Sequence, residues 1–320
     1  MSKGEMLVRM IGKRREKPKF SVGELRVFLE DSLGFELESL KMLKSVNALN
    51  FKAIRRRDGF AFTVKGIPAW RRDRYDQLTV HLREMEGSKT VSRLFERECP
   101  PSFRGYDLLC LTWCDGTGLP VDRLTDEELL GFLDDYRAFS EAMQKATCIL
   151  PQYEFVRWRA EALEKCRGFW GGLMRPIVEL AEPELTGFRA DRLRVTHGDL
   201  HPGNFAFSAG RVSGFFDIEG FTWGYPAWDL VRYFIFSCEH LRWYQFRRRH
   251  RLFGHFQTAV RLMGYPCDEW IASINAYWLE KVDKKTHGRR IGPFQALPLL
   301  AGVGLYRRFR EIVFGIIRST

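Results

Sequence analysis

Residues 195–233 read VTHGDLHPGNFAFSAGRVSGFFDIEGFTWGYPAWDLVRY, from Val195 to Tyr233. Asp199 and Asn204 fall on one tight Gly- and Pro-containing loop. Two short apolar runs follow, Phe205–Ser208 and Val212–Phe216, and read as the strands of a hairpin. Asp217 lies just beyond the second strand. Taken singly, these residues are ordinary. An Asp in a Gly-Pro loop is most often a turn residue, and His201 before Pro202 is most often a loop packer. Taken together, they place two carboxylates and one amide on adjacent loops.

Working outward, Thr125 and Glu128 have the spacing of a capping box. Behind them Leu129, Phe132, Leu133, Tyr136, Phe139 and Met143 recur at helical period, which predicts a long amphipathic helix. Helices dominate from there to the C-terminus, apart from the hairpin. Upstream, Ser21 and Glu24 form a second capping-box pair and open a helix to about Leu33. From Leu40 to Ile67 the pattern is that of strands, with Asp58-Gly59 as a hairpin turn between Asn50–Arg56 and Phe60–Ile67. Trp70 to Glu86 reads as a helix and Tyr106 to Trp113 as an apolar strand that ends at Asp115-Gly116 and Gly118. The expectation is an α+β chain of two lobes: residues 1–111 as a strand-rich N-terminal lobe behind a basic arm, 112–119 as a hinge, and 120–320 as a helical C-terminal lobe, with a cleft between the lobes.

Phosphoryl transfer asks little covalent help of a protein. It asks for an acceptor hydroxyl in line with the γ-phosphorus and for neutralisation of charge by a metal ion. Mg²⁺ takes oxygen ligands and keeps several waters, so one carboxylate and one amide carbonyl suffice. A further carboxylate can orient the hydroxyl. Asp199, Asn204 and Asp217 supply these groups. The segment His197-Gly198-Asp199-Leu200-His201-Pro202-Gly203-Asn204 resembles the catalytic loop of the aminoglycoside phosphotransferase and choline kinase superfamily, which has the protein-kinase-like fold. Asp217-Ile218-Glu219 resembles its metal-binding Asp-x-Glu, and Pro226-Ala227-Trp228-Asp229-Leu230 resembles the helix start that follows. Three motifs in order and at the right spacing make a specific signal. The resemblance implies ATP and Mg²⁺ as cofactors, Asp199 as the catalytic base, and Asn204 and Asp217 as metal ligands. It implies structural roles at the site for His197, Asp229 and Glu219.

The N-terminal half is similar to the same superfamily over the loop Ser45–Asn50 and its hairpin. By that resemblance Lys65 contacts the α- and β-phosphates, with Lys52 a weaker rival. The loop lacks the glycines common in the family, so either the side chains of Ser45 and Asn47 replace backbone contacts or nucleotide binding is weak. Asp76 and Glu84 are both candidates for the acidic partner of the lysine. Thr112, Trp113 and Cys114 resemble the hinge that bonds adenine. A solvated helix face or a core aromatic is the plainer reading of each residue alone.

A protein kinase would carry Arg between the His and Asp of the loop, Asp-Phe-Gly, and a long activation segment. Gly198 and Glu219 occupy the diagnostic positions here, and little chain separates Asp217 from Asp229. A small-molecule or sugar hydroxyl is therefore the favoured acceptor, with a catalytically weak kinase-like scaffold as the alternative and a protein kinase as the third reading. The chain has 320 residues and a net charge of +11, with a pI near 9.4 and a mean hydropathy of -0.28. Such a surface attracts anions. Arg242, Arg247–Arg251, Lys281, Lys284, Lys285, Arg289, Arg290, Arg307, Arg308 and Arg310 concentrate that charge near the C-terminus. They favour an anionic acceptor such as a lipopolysaccharide core sugar, with Trp243, Tyr244 and Phe246 suited to peripheral contact with an anionic membrane. No nucleic-acid module is visible, so nucleic acid is disfavoured as a partner. No run approaches the roughly 18 apolar residues of a spanning helix. Seven scattered cysteines without Cys-x-x-Cys suggest a reducing compartment. A cytoplasmic protein is expected, with an option of contact at the inner membrane face.

Overall fold

The computed structural model describes residues 20–43, 49–88, 91–95, 102–147, 164, 168, 172–173, 190–242, 244–286 and 293–318. The chain divides into two compact units: Met1–Gln77 with Arg93–Trp113, and Leu78–Ser92 with Cys114–Thr320.

The first unit is built on an antiparallel sheet in the order β1 (Leu37–Met42), β2 (Leu49–Arg55), β3 (Ala61–Pro68), β4 (Tyr106–Thr112). Helix α1 (Val22–Leu33) precedes it. Ser21 and Glu24 close a reciprocal capping box there, and Gly34 ends the helix in the left-handed conformation. Leu25 and Leu29 of α1 pack on Leu37, Phe51, Ala53, Phe62, Val64, Leu108 and Cys110, which make one hydrophobic core. Side chains alternate across a strand. Phe62 and Val64 therefore face that core, while Thr63 and Lys65 face the other way. The first strand starts at Leu37, three residues earlier than the sequence pattern suggests, because Leu37 is fully buried at the end of the core. The segment after β3 begins as a single 3₁₀ turn, Ala69–Arg71, and becomes helix α2 only at Arg72–Glu84. The division between the two units falls within α2.

The second unit is mostly helical. Helix α3 (Asp126–Met143) has the Thr125–Glu128 capping box and buries Leu129, Phe132, Leu133, Tyr136, Phe139 and Met143. Its buried face meets two small antiparallel ribbons: β5 (Arg194–Thr196) with β8 (Thr222–Gly224), and β6 (Phe205–Ser208) with β7 (Arg211–Phe215). Only β6 and β7 were evident as strands in the sequence. Phe139 stacks on Phe215 with ring centroids 4.2 Å apart, and Phe132 packs on Phe205 and Tyr233. Helices α4 (Trp228–Glu239), α5 (Phe246–Met263), α6 (Cys267–Thr286) and α7 (Pro293–Ile317) complete the unit. Among the described residues no helix is long and apolar enough to cross a membrane.

Two glycines let the segment after Cys114 lie against the loop that carries Asn204. Thr117 exchanges backbone hydrogen bonds with Phe207, at 3.1 and 3.3 Å. A Cβ on Gly116 would lie 2.1 Å from the Phe207 carbonyl oxygen, and one on Gly118 would lie 1.3 Å from that of Pro202. Backbone cannot yield to such an overlap without moving the loop. Gly118→Ala is expected to lower stability by about 1–3 kcal/mol, read as a fall in the denaturant midpoint at unchanged m-value.

Candidate active site

The site is assembled from a buried carboxylate outward. Asp229 sits in the first turn of α4 and is fully buried. Its Oδ2 accepts the His197 N–H at 2.7 Å and the Tyr136 hydroxyl at 3.1 Å, and its Oδ1 accepts the Gly198 N–H at 2.9 Å. Burial pushes the Asp229 carboxyl above its ordinary pKa, against the pull of His197 and of the hydrogen bonds. The backbone of the loop is thus clamped at its first two residues.

His197 carries the tie onward. Its Nδ1 accepts the Asp199 N–H at 3.3 Å, and its Nε2 donates to the Phe216 carbonyl at 2.8 Å. These two bonds fix the tautomer. They also fasten the loop to the residue just before Asp217. Asn204 fastens it a second time: the Phe216 N–H donates to the Asn204 carbonyl at 2.9 Å. Both backbone groups of Phe216 are therefore held by the loop that bears Asp199 and Asn204. The Asn204 Nδ2 donates to the Asp199 carbonyl at 2.8 Å. That bond needs the amide N–H, so the amide carbonyl oxygen points the other way and is the atom offered to a ligand.

Asp217 is exposed and left-handed, at φ 63° and ψ 36°, and begins the short turn Ile218–Gly220 on which Glu219 lies. His81 of α2 supports this turn. Its Nδ1 pairs with the Ile218 carbonyl at 2.9 Å, and its ring stacks on Phe221 at 4.6 Å. One carboxylate and one amide oxygen are hard donors that suit Mg²⁺ with waters filling the remaining positions.

Asp199 is exposed, and its Oδ1 is gripped by Arg232, which donates from Nε at 2.9 Å and from Nη2 at 2.6 Å. Arg232 also donates from Nη1 to Glu280 of α6 at 2.7 Å. His201 stacks on Phe236 at 5.1 Å, and its Nδ1 accepts the Gly203 N–H at 2.9 Å. Burial holds the His201 pKa below its ordinary value, a stronger effect than the nearby Asp199 charge that raises it.

The remaining sequence candidates lie on β2, β3, α2 and the end of β4 with the residues that follow it. Lys65 is buried in β3, opposite Asn50 and Leu109. Lys52 shares that sheet face and places its Nζ 4.1 Å from the ring centre of Trp113. Asp76 is paired with Arg72 one turn away, at 3.1 Å. Glu84 accepts from the Thr147 backbone at 3.1 Å and from its hydroxyl. Thr112 accepts the Arg93 N–H at 2.9 Å. The Cys114 thiol lies 3.8 Å from the Ser92 hydroxyl, and burial raises its pKa. Ser45 and Asn47 lie outside the described residues, as do Trp243, Arg289 and Arg290. Sequence reasoning missed Arg232, Glu280, His81 and Tyr136. Only Arg232 carried a local signal, since it follows Asp229 at the helical i,i+3 spacing.

Residues 71–260 match the sequence profile described as the phosphotransferase enzyme family, APH. The chain belongs to that family. No curated protein matches it by sequence. Its fold is that of several solved APH structures. A candidate aminoglycoside phosphotransferase from Ralstonia eutropha JMP134 aligns with TM-score 0.60 and 15% identity over 93% of this chain and 99% of that one. Spectinomycin phosphotransferase in complex with ADP and spectinomycin aligns with TM-score 0.58 and 10% identity over 92% and 98%. Macrolide 2'-phosphotransferase from Brachybacterium faecium aligns with TM-score 0.52 and 14% identity over 91% and 96%.

Asp229→Asn would set an amide N–H against one of the two backbone donors. The variant is expected to lose about 1–3 kcal/mol, measured by chemical denaturation beside the wild type. The His201 imidazole is expected to titrate below 6.5 in an NMR pH series. Because its folded pKa is lowered, the unfolded chain binds the proton more readily. His201 therefore lowers stability as pH falls from 6.5 towards the folded value, and a midpoint above 6.5 would show that the Asp199 charge outweighs burial.

Proposed function

We propose that this APH-family protein is an ATP- and Mg²⁺-dependent O-kinase that phosphorylates a hydroxyl of a small molecule or sugar. The observation that carries the reading is the double hold on Phe216. It ties the loop of Asp199 and Asn204 to the start of the Asp217 turn, so three oxygen-bearing side chains project from one braced frame. Asp217 and the Asn204 amide oxygen would hold the metal, which neutralises phosphate charge when bound. Asp199 would accept the hydrogen bond of the acceptor hydroxyl. The acceptor oxygen forms its bond to the γ-phosphorus as the bond to the bridging β–γ oxygen breaks. The electron pair leaves with ADP, and the hydroxyl proton passes to the Asp199 carboxylate. Lys65 is the proposed phosphate contact, and Thr112, Trp113 and Cys114 the proposed adenine contacts.

The acceptor is proposed to carry phosphate or carboxylate, as a lipopolysaccharide core sugar does. The net charge of +11 supports this. Several of the C-terminal cations are already matched: Arg248 with Asp122, Lys281 with Glu239, Lys284 with Glu280, Arg308 with Glu311. The proposal therefore rests on Arg247, Arg251 and Arg307, which are exposed. Tyr244 and Phe246 are also exposed beside the arginine run, which supports peripheral contact with an anionic membrane. The spectinomycin and macrolide enzymes are the precedent for the other outcome, an antibiotic-like acceptor.

Mg-ATP is expected to raise the melting temperature of the wild type. Asp199→Ala should keep that shift and lose about 10²–10⁴-fold in transfer rate. Asp217→Ala should lose the magnesium dependence of nucleotide binding. An acceptor screen that reads ADP release separates the substrate classes. Turnover of cationic aminoglycosides alone would overturn the anionic acceptor, and full activity of Asp199→Ala would overturn the base.

A further inference from the structure

Arg232 stands three residues after Asp229 on α4 and reaches out of a mostly buried position. Its side chain is 13% exposed, that of Glu280 8%, and that of Asp199 55%. A guanidinium is a rigid planar fork with donors on two edges. One edge, Nε with Nη2, converges on the single oxygen Oδ1 of Asp199. The other, through Nη1, is held by Glu280 on α6. Lys284 engages the second oxygen of Glu280, and the Tyr277 ring lies 5.7 Å from the Arg232 guanidinium carbon. The fork is thus set between two carboxylates and packed against an aromatic face.

An ion pair to a carboxylate this exposed contributes little to stability. Keeping an arginine largely buried to make it is unfavourable unless Glu280 compensates. The arrangement is therefore a poor stabiliser and a good jig. Its effect is selective, since both donors fall on Oδ1. Oδ2 is left to face His201 Nε2 at 3.9 Å, which is longer than a hydrogen bond. The Gly203 N–H occupies His201 Nδ1, so the neutral ring carries its proton on Nε2. The open oxygen of Asp199 is bordered by a donor and not by a competing acceptor.

We propose that Arg232 is the positioning residue of the phosphotransfer site. It fixes Asp199 by Oδ1 so that Oδ2 alone meets the acceptor hydroxyl, and Glu280 braces it from α6. The proposal rests on the kinase reading, which makes Asp199 the hydroxyl-binding group. It also makes α6 part of the mounting of the base.

The test uses the full chain and Mg-ATP with water as acceptor, so no identified substrate is required. Arg232→Met keeps the apolar stem and removes the fork. It is expected to lower the kcat of ATP hydrolysis by about 10- to 100-fold with the KM for ATP unchanged. Arg232→Lys should recover part of the rate, because a point charge can reach one oxygen without orienting it, and Glu280→Gln should fall between them. A second readout is independent of turnover: the ¹⁵N-edited resonance of the Arg232 Nε–H, assigned by its absence in Arg232→Lys, should shift in Asp199→Asn. Unchanged kcat in a folded Arg232→Met that still binds Mg-ATP overturns the positioning role and leaves the kinase reading intact. A wild type that shows neither a Mg-ATP thermal shift nor hydrolysis overturns both. Where the nucleotide binds but hydrolysis is too slow to measure, or Arg232→Met fails to fold, the resonance decides. A shift upholds the proposal, and an Nε–H indifferent to Asp199→Asn sinks it.

Discussion

A carboxylate removed from water must find donors for both oxygens, and Asp229 finds three: two backbone N–H groups and a phenol. Its place in the first turn of α4 adds the favourable end of the helix dipole. The desolvation penalty on such a group is severe, and it is met only when every partner is present. The consequence is a fixed relation between α3, which supplies Tyr136, the loop at 197–198, and α4. The His197 ring and the Asn204 backbone extend that relation to the end of β7. Every group assigned to chemistry in the second unit hangs from this sequence of ties, and none of those ties involves a side chain proposed to touch substrate.

Much of this frame was legible in the sequence because its signals are local. The capping boxes at Ser21 and Thr125 are set by residues three apart. The β6–β7 hairpin is set by two apolar runs around a turn, and α3 by its repeat of apolar positions. The loop and its followers were recognisable as a run of motifs. The strands β5 and β8 were not, because three residues each are too few to show a period. Their pairing, Val195 with Trp223, joins segments far apart in the chain. The contact of His81 with the Ile218 carbonyl spans 137 residues, and no pattern within a helix announces such a partner.

Charge is where sequence and structure diverge most usefully. The arginines and lysines near the C-terminus form runs when read along the chain. In space two of them meet acids from other elements: Arg248 reaches Asp122 and Lys281 reaches Glu239. The carboxylates are spread thinly along the chain and do not look like partners until it folds. Net charge survives folding, but its local density does not. A surface field inferred from composition is therefore sound in sign and unsound in place.

Asp217 is one of few non-glycine residues described in the left-handed region. Asp and Asn tolerate that region better than other side chains, yet still at some strain relative to glycine. Drift at this codon would thus be asymmetric. Glycine would relax the turn while deleting the carboxylate, so, if Asp217 holds the metal as proposed, a lineage released from selection for activity would have a downhill route to a sturdier, inert descendant. A β-branched residue there would harm folding and chemistry together. Under the proposed metal-holding role, retention of an acidic residue at this strained position would mark a turn kept for what its oxygens do.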